Sequence, residues 1–223
     1  VIEAYGAEPE RVLVVPHGVE PALIDNMTPP DQLRERHGLG TGPIVVYPAV
    51  THPHKNHRFL LALMREHWTD PDLRLVLPGG VGYAEAEIKA ANDRRVIRLG
   101  RVSAADRNGL LAMADAMVFP SQYEGFGAPL IEAMTLGTPV VCSDATCMPG
   151  IVDDAGLVLP LELDAWAGAL NEARRRRAEL VAAGHLRAGQ ERRVDDLPIP
   201  GDRDGAVDGQ VQQALGRRAR IGE

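Results

Sequence analysis

Ala116-Met117-Val118-Phe119-Pro120-Ser121-Gln122-Tyr123-Glu124-Gly125-Phe126-Gly127-Ala128-Pro129-Leu130-Ile131-Glu132-Ala133-Met134 is the passage on which the fold turns. Four apolar residues are too few for a helix and suit a strand buried on both faces. A polar loop follows, then two glycines, then a proline whose missing N–H costs nothing in a first helical turn. Leu136-Gly137 supplies the stop. The passage is one strand–loop–helix unit, and the same unit recurs. Strands are expected at 12–15, 44–47, 73–77, 96–99, 139–142 and 157–159. Helices are expected at 58–67, 83–94, 104–114 and from 164 onward. Phe59, Leu60, Leu63 and Met64 lie on one helical face, and Ser103 can cap the helix that follows it. Asn108-Gly109 inside that helix counts against it. Nearly all-apolar strands alternating with helices predict an α/β fold: a doubly wound parallel sheet built from right-handed crossovers. One domain is expected over residues 1–189. From 190 to 223 neither period is present, five glycines and two prolines are scattered, and no aromatic follows Trp166. This stretch reads as a disordered or foreign tail.

The 223 residues carry 24 basic and 31 acidic side chains, a net charge of −7, which argues against a nucleic-acid binder. No apolar run approaches the roughly 18 residues of a membrane span. Cys142 and Cys147 are too few for a disulfide framework and read as reduced thiols of a cytoplasmic protein. The chain opens on Val1 rather than Met, so it reads as a piece whose beginning lies upstream.

Glycines before a helix N-terminus, at the carboxyl end of a parallel strand, stand where α/β sheets bind ligands. Free backbone N–H groups and the helix dipole favour a phosphate there. Glu124 and Glu132 bracket the turn, and carboxylates suit the hydroxyls of a sugar or ribose. Glu132 could equally be a partner of the helix dipole. A second strand end leads into His52-Pro53-His54-Lys55-Asn56-His57, where Lys55, one of only two lysines, can neutralise a diphosphate. No cysteine or paired carboxylate accompanies the three histidines, so a metal site is not expected. Pro78-Gly79-Gly80-Val81-Gly82 offers an incomplete dinucleotide fingerprint, since Glu85 stands at its last glycine. Arg101-Val102 could flank a base. Arg174 to Arg177 reads as a solvated helix face.

Together these residues resemble the C-terminal domain of retaining glycosyltransferases of the GT-B fold, the group-1 or family-4 class. Val14-Val15-Pro16-His17-Gly18-Val19-Glu20 is similar to its opening, His54-Lys55-Asn56 to its donor-phosphate lysine segment, and Glu124 through Glu132 to its E-x7-E motif. Gly137-Thr138-Pro139-Val140-Val141 and Asp154-Ala155-Gly156 continue the pattern. The resemblance implies a Rossmann-like half of a two-domain enzyme of polysaccharide biosynthesis. It would take a nucleoside-diphosphate sugar, GDP-mannose or a UDP-hexose, and pass the hexose to an acceptor hydroxyl. Lys55 and Glu124 would be catalytic. Gly79, Gly80, Arg101, Val102, Phe126, Gly127, Ala128, Leu130 and Glu132 would bind the donor, with Glu132 on the ribose and Arg101-Val102 near the base. No cofactor and no obligatory metal are implied. A glycan or lipid-linked acceptor would be held mainly by an N-terminal domain outside this chain, in the cytoplasm or at the inner membrane face. Ala49, Val50 and Thr51 stand where the family usually carries an arginine, leaving His52 or His54 to compensate. Gly150 replaces the glutamate common after Met148-Pro149. A nucleotide-sugar epimerase of the same fold and a non-catalytic binding module are the alternatives.

Overall fold

A computed structural model describes residues 5, 6, 8 and 23–191, with the side chains of 190 and 191 outside the description. The expected strand at 12–15, the Val14 to Glu20 segment and residues 192–223 lie outside the described residues. Residues 23–191 fall in one unit spanning 17–192.

Six parallel strands form its sheet: β1 (Ile44–Val46), β2 (Arg74–Pro78), β3 (Val96–Gly100), β4 (Ala116–Phe119), β5 (Val140–Ser143) and β6 (Gly156–Leu159). Their spatial order is β3-β2-β1-β4-β5-β6, with Val45 opposite both Leu75 and Ala116. Every residue of β1, β4 and β5 is buried, whereas the two edge strands are half-buried. That contrast explains the composition: a strand with helices over both faces has no solvent side to make polar.

The helices are α1 (Pro30–His37), α2 (His57–Glu66), α3 (Glu85–Ala91), α4 (Ala104–Met113), α5 (Ala128–Thr135), α6 (Met148–Val152), α7 (Leu163–Ala167), α8 (Ala169–Arg175) and α9 (Arg177–Glu191). α2 buries Phe59, Leu60, Leu63 and Met64, each contributing roughly 1.5–3 kcal/mol. Phe59 meets Trp166 edge-on at 5.3 Å, and the Trp166 indole N–H donates to the Pro160 carbonyl at 2.9 Å. The single helix expected from 164 onward is three. Gly168 separates α7 from α8, and Arg176 separates α8 from α9, which runs through Glu191, just past the expected domain end. The helix expected at 83–94 is shorter at both ends. Gly82 and Ala84 donate their N–H groups to the Thr51 side chain and carbonyl instead of opening a helical turn. The arginine run lies at the surface except for its last member. Arg175 and Arg176 pair with Glu172 and Glu179, and Arg174, also exposed, pairs with Asp115. Arg177 donates to the carbonyls of Ala114, Asp115 and Gly137.

Asn108-Gly109, which counted against α4 in the sequence, has a packing reason. The Asn108 amide donates to the carbonyls of Leu23 and Asn26, fastening the segment that precedes α1. A Cβ at Gly109 would lie 2.3 Å from the Thr28 carbonyl oxygen and 2.8 Å from a Leu33 methyl. Alanine in an open helix would gain about 1 kcal/mol over glycine. Gly109→Ala should reverse that sign and lose about 1–3 kcal/mol to overpacking, read as a lower urea midpoint at unchanged slope.

Candidate functional site

Right-handed crossovers run outward from β1 through β2 to β3, and from β4 through β5 to β6, so the chain reverses direction between β1 and β4. A crevice outside the carboxyl ends of the strands is expected at such a reversal. The two loops that leave β1 and β4 carry Lys55 and Glu124. The Lys55 ammonium lies 2.5 Å from Glu124 Oε1 and 5.7 Å from the centre of the Phe119 ring, with side-chain exposures of 18% and 12% for the ion pair. The structure therefore brings together two groups 69 residues apart in sequence.

Tyr47, fully buried, ties the loops to one another. Its hydroxyl donates to the Lys55 carbonyl at 2.9 Å and shares a 2.9 Å hydrogen bond with Ser121 Oγ. The Gln122 N–H donates to the His54 carbonyl at 2.8 Å. Ser143 Oγ, at the end of β5, donates to the Ser121 carbonyl at 2.5 Å. Burial pushes the Tyr47 phenol above its ordinary range, so it stays a neutral donor.

Gly127 is the left-handed residue that opens α5, with Pro129 in the first turn and no acidic side chain there. The Leu130 N–H turns back to the Gly127 carbonyl at 2.9 Å, and its side chain is fully buried. Leu130 thus serves packing, and the amides of Gly127 and Ala128 are left without an acceptor among the described residues. Gly125 is exposed and Phe126 packs against the core. Glu132 sits one turn further, half-buried, and accepts from Arg107 of α4 at 3.2 Å. Arg107 had no signal in the sequence, because its partner is reached across two helices.

On the other flank, the Thr51 N–H donates to the Gly80 carbonyl at 3.2 Å, joining the Lys55 loop to the glycine turn after β2. Gly79 has φ 141°, and a Cβ there would meet the Ala49 carbonyl oxygen at 2.1 Å. Here glycine is a close-approach requirement. Arg98 holds the turn, donating to the carbonyls of Leu77, Gly79 and Gly80 at 2.9, 2.9 and 3.0 Å. It also pairs with Glu85, whose carboxylate accepts from Thr51 as well. Burial alone would raise the Glu85 pKa, but the Arg98 and Thr51 hydrogen bonds and the Arg98 charge outweigh it and hold the group below the usual range. A lone arginine in the apolar run Val96-Ile97-Arg98-Leu99 was the available sign of this brace. Arg101 is exposed beside Gly80, and Val102 follows β3 half-buried.

The three histidines do not share a face. His52 and His54 stack with centroids 5.8 Å apart at the rim. His57 is buried 5.0 Å from the Tyr47 ring, and neither of its ring nitrogens has a partner among the described residues. Among the described residues no group of three His, Cys, Asp or Glu could hold a metal, and no helix is long and apolar enough to cross a membrane. Cys142 is buried and its thiol is pushed up to about 12 by burial, so it is unreactive.

Burial, then the Arg98 charge, lowers the His57 pKa from 6.5 to about 4. The unfolded chain protonates this ring first, so stability contributed by His57 is intact at pH 7 and is lost as pH falls through 6.5 toward 4. Between pH 7 and pH 5 that loss is about 2 kcal/mol. His57→Leu should flatten this part of a urea-midpoint profile against pH. Tyr47→Phe should cost about 1–3 kcal/mol by stranding the Ser121 hydroxyl and the Lys55 carbonyl, seen as a lower unfolding temperature with the fold retained by circular dichroism.

Residues 30–184 match the family described as glycosyl transferases group 1. The chain is 35% identical over 139 residues to the O-antigen chain mannosyltransferase B of Escherichia coli, covering 59% of this chain and 36% of that protein. It is 35% identical over 191 residues to the D-inositol 3-phosphate glycosyltransferase of Jonesia denitrificans, covering 76% and 44%. The chain thus spans less than half the length of these two relatives. Among solved structures, Anabaena HepE in complex with UDP and glucose superposes with a TM-score of 0.74 at 22% identity, over 97% of this chain and 59% of that one. At that identity the likeness speaks for the fold, the six-stranded sheet with its reversal at β1 and β4. The match over residues 30–184 carries the assignment, and the chain belongs to the glycosyl transferases group 1 family.

Proposed function

We propose that this chain is the donor-binding half of a retaining glycosyltransferase that moves a hexose from a nucleoside-diphosphate sugar to an acceptor hydroxyl. One observation carries the reading: a lysine and a glutamate are paired across the sheet's reversal point, shortly before the N-terminus of α5, whose Gly127 and Ala128 amides have no acceptor among the described residues. GDP-mannose and UDP-glucose are the donors to try, since one relative is named a mannosyltransferase and one structural neighbour was solved with UDP and glucose. The acceptor would be held by a domain outside this chain.

The arriving diphosphate competes with Glu124 for the Lys55 ammonium. Lys55 turns to the phosphate, and Glu124, released from that cation, accepts the sugar's hydroxyl hydrogens. Glu132 and Arg101-Val102 fall to the ribose and the base. The acceptor oxygen attacks the anomeric carbon on the face from which the phosphate leaves. As the carbon–oxygen bond to the diphosphate breaks, the departing phosphate oxygen takes the acceptor's hydroxyl proton. Configuration is retained and no protein nucleophile is used. In this scheme Lys55 and these amides stabilise the charge that grows on the leaving oxygen, which is where preorganised donors act most strongly.

Lys55→Ala in the full-length enzyme should slow turnover by about 10²–10³-fold, roughly 2–4 kcal/mol of barrier. The assay follows free nucleoside diphosphate and glycoside product from GDP-mannose and from UDP-glucose. Unchanged turnover would remove Lys55 from the mechanism, and an isomerised nucleotide sugar in place of glycoside would make the protein an epimerase.

A further inference from the structure

The loop between β5 and α6 grips the Glu124 backbone on both sides. The Glu124 N–H donates to Thr146 Oγ1 at 3.1 Å, and the Cys147 thiol donates to the Glu124 carbonyl at 3.4 Å. Ser143, the last residue of β5 before that loop, donates to the Ser121 carbonyl three residues earlier. Both polar groups of one peptide residue are therefore satisfied by consecutive side chains of one neighbouring loop. The carboxylate that grows from this residue faces Lys55.

Thr146 makes its contact from a conformation that threonine avoids. Its φ is +51°, in the left-handed region, where a β-branched side chain crowds its own backbone. Glycine would adopt this turn freely but has no oxygen to offer the Glu124 N–H. A strained residue persists where surrounding contacts over-determine it, and such residues gather at functional sites. Here the contact that threonine adds over glycine is the hydrogen bond to Glu124.

We propose that Thr146, assisted by Cys147, is a positioning residue that sets where the Glu124 carboxylate stands against Lys55, and with it the part of donor affinity owed to the sugar. Neither side chain touches the diphosphate in this scheme. The proposal rests on the reading that Glu124 meets the donor's sugar. It predicts a selective loss: nucleotide sugar weakens and free nucleotide does not.

The test is calorimetric titration of the protein with GDP-mannose against GDP, and with UDP-glucose against UDP. In the wild type one pair must show tighter binding with the hexose attached; if neither does, the reading of Glu124 fails before Thr146 is at issue. Given that increment, Thr146→Val should weaken the nucleotide sugar at least tenfold while free nucleotide changes less than twofold. Thr146→Ser should restore it to within threefold, because the hydroxyl returns. Thr146→Gly should keep the loss yet unfold at a temperature no lower than wild type, since the turn is relieved. The proposal is overturned if the hexose increment survives in the valine and glycine variants, or if sugar and free nucleotide weaken together. It is overturned equally if the glycine variant unfolds earlier, because Thr146 would then be serving the fold.

Discussion

Right-handedness of the β–helix–β crossover is the constraint from which the rest descends. A chain that winds one way from a starting strand covers one face of a sheet; to cover both it must return and wind the other way. Here the return falls between β1 and β4, and the loops leaving their carboxyl ends diverge to opposite faces. A gap at the top of the sheet follows from that divergence. The gap is lined by peptide groups that no helix or strand satisfies, so the chain must supply side chains for them. Tyr47 does so from below: one hydroxyl serves the Lys55 carbonyl and the Ser121 hydroxyl, reaching both lips of the gap from the strand beneath.

Charge in the gap obeys the same need for a partner. An ammonium at 18% exposure with nothing to meet it would cost several kcal/mol of lost hydration. Glu124 meets it and keeps the surroundings of Lys55 close to neutral. A net charge of −7 over the chain makes this local balance more useful, because an unpaired acidic side chain at the gap would repel a diphosphate. A ligand with more negative charge than one carboxylate would compete for the ammonium. The nucleoside-diphosphate sugar proposed above would do so, and its hydroxyls would meet the freed carboxylate.

The sequence displayed its strands clearly because burial on both faces leaves an unbroken apolar run, as at Ala116 to Phe119, which matches β4 residue for residue. Lys55, Glu124 and the glycine turns were legible for a related reason: each lies just past such a run. What stayed hidden acts across distance in the chain. Tyr47 read as the last residue of a strand, and only the folded structure gives its hydroxyl two partners, one of them 74 residues away. Thr146 carried no mark at all, since neither its φ nor its bond to Glu124 is written in local composition. Glu85 was read as a defect in a glycine motif. It is the counter-charge of Arg98, a relation between a helix and the strand after it. The arginine run misled because charge density was taken for solvation, while Arg177 is spent on carbonyls at the opposite end of the sheet.

Glu85 also bears on why the proposed donor's diphosphate would go to one helix and not another. α3 and α5 both begin after loops that leave the carboxyl edge of the sheet, and both present the positive end of a helix dipole. In α3 the first turn holds Glu85 and Glu87, so its own carboxylates already occupy the favourable place for negative charge. A phosphate there would meet two like charges. In α5 the first turn is Ala128-Pro129-Leu130, with no acidic side chain, and the carboxylate nearest its opening is held by Lys55. Glu132 lies a turn inside the helix, against Arg107, where it does not screen the terminal amides. The proline removes one donor and Leu130 turns another inward, leaving Gly127 and Ala128 side by side. With two adjacent amides and a dipole without its own counter-charge, the α5 terminus is the better of the two for the diphosphate of the proposed donor.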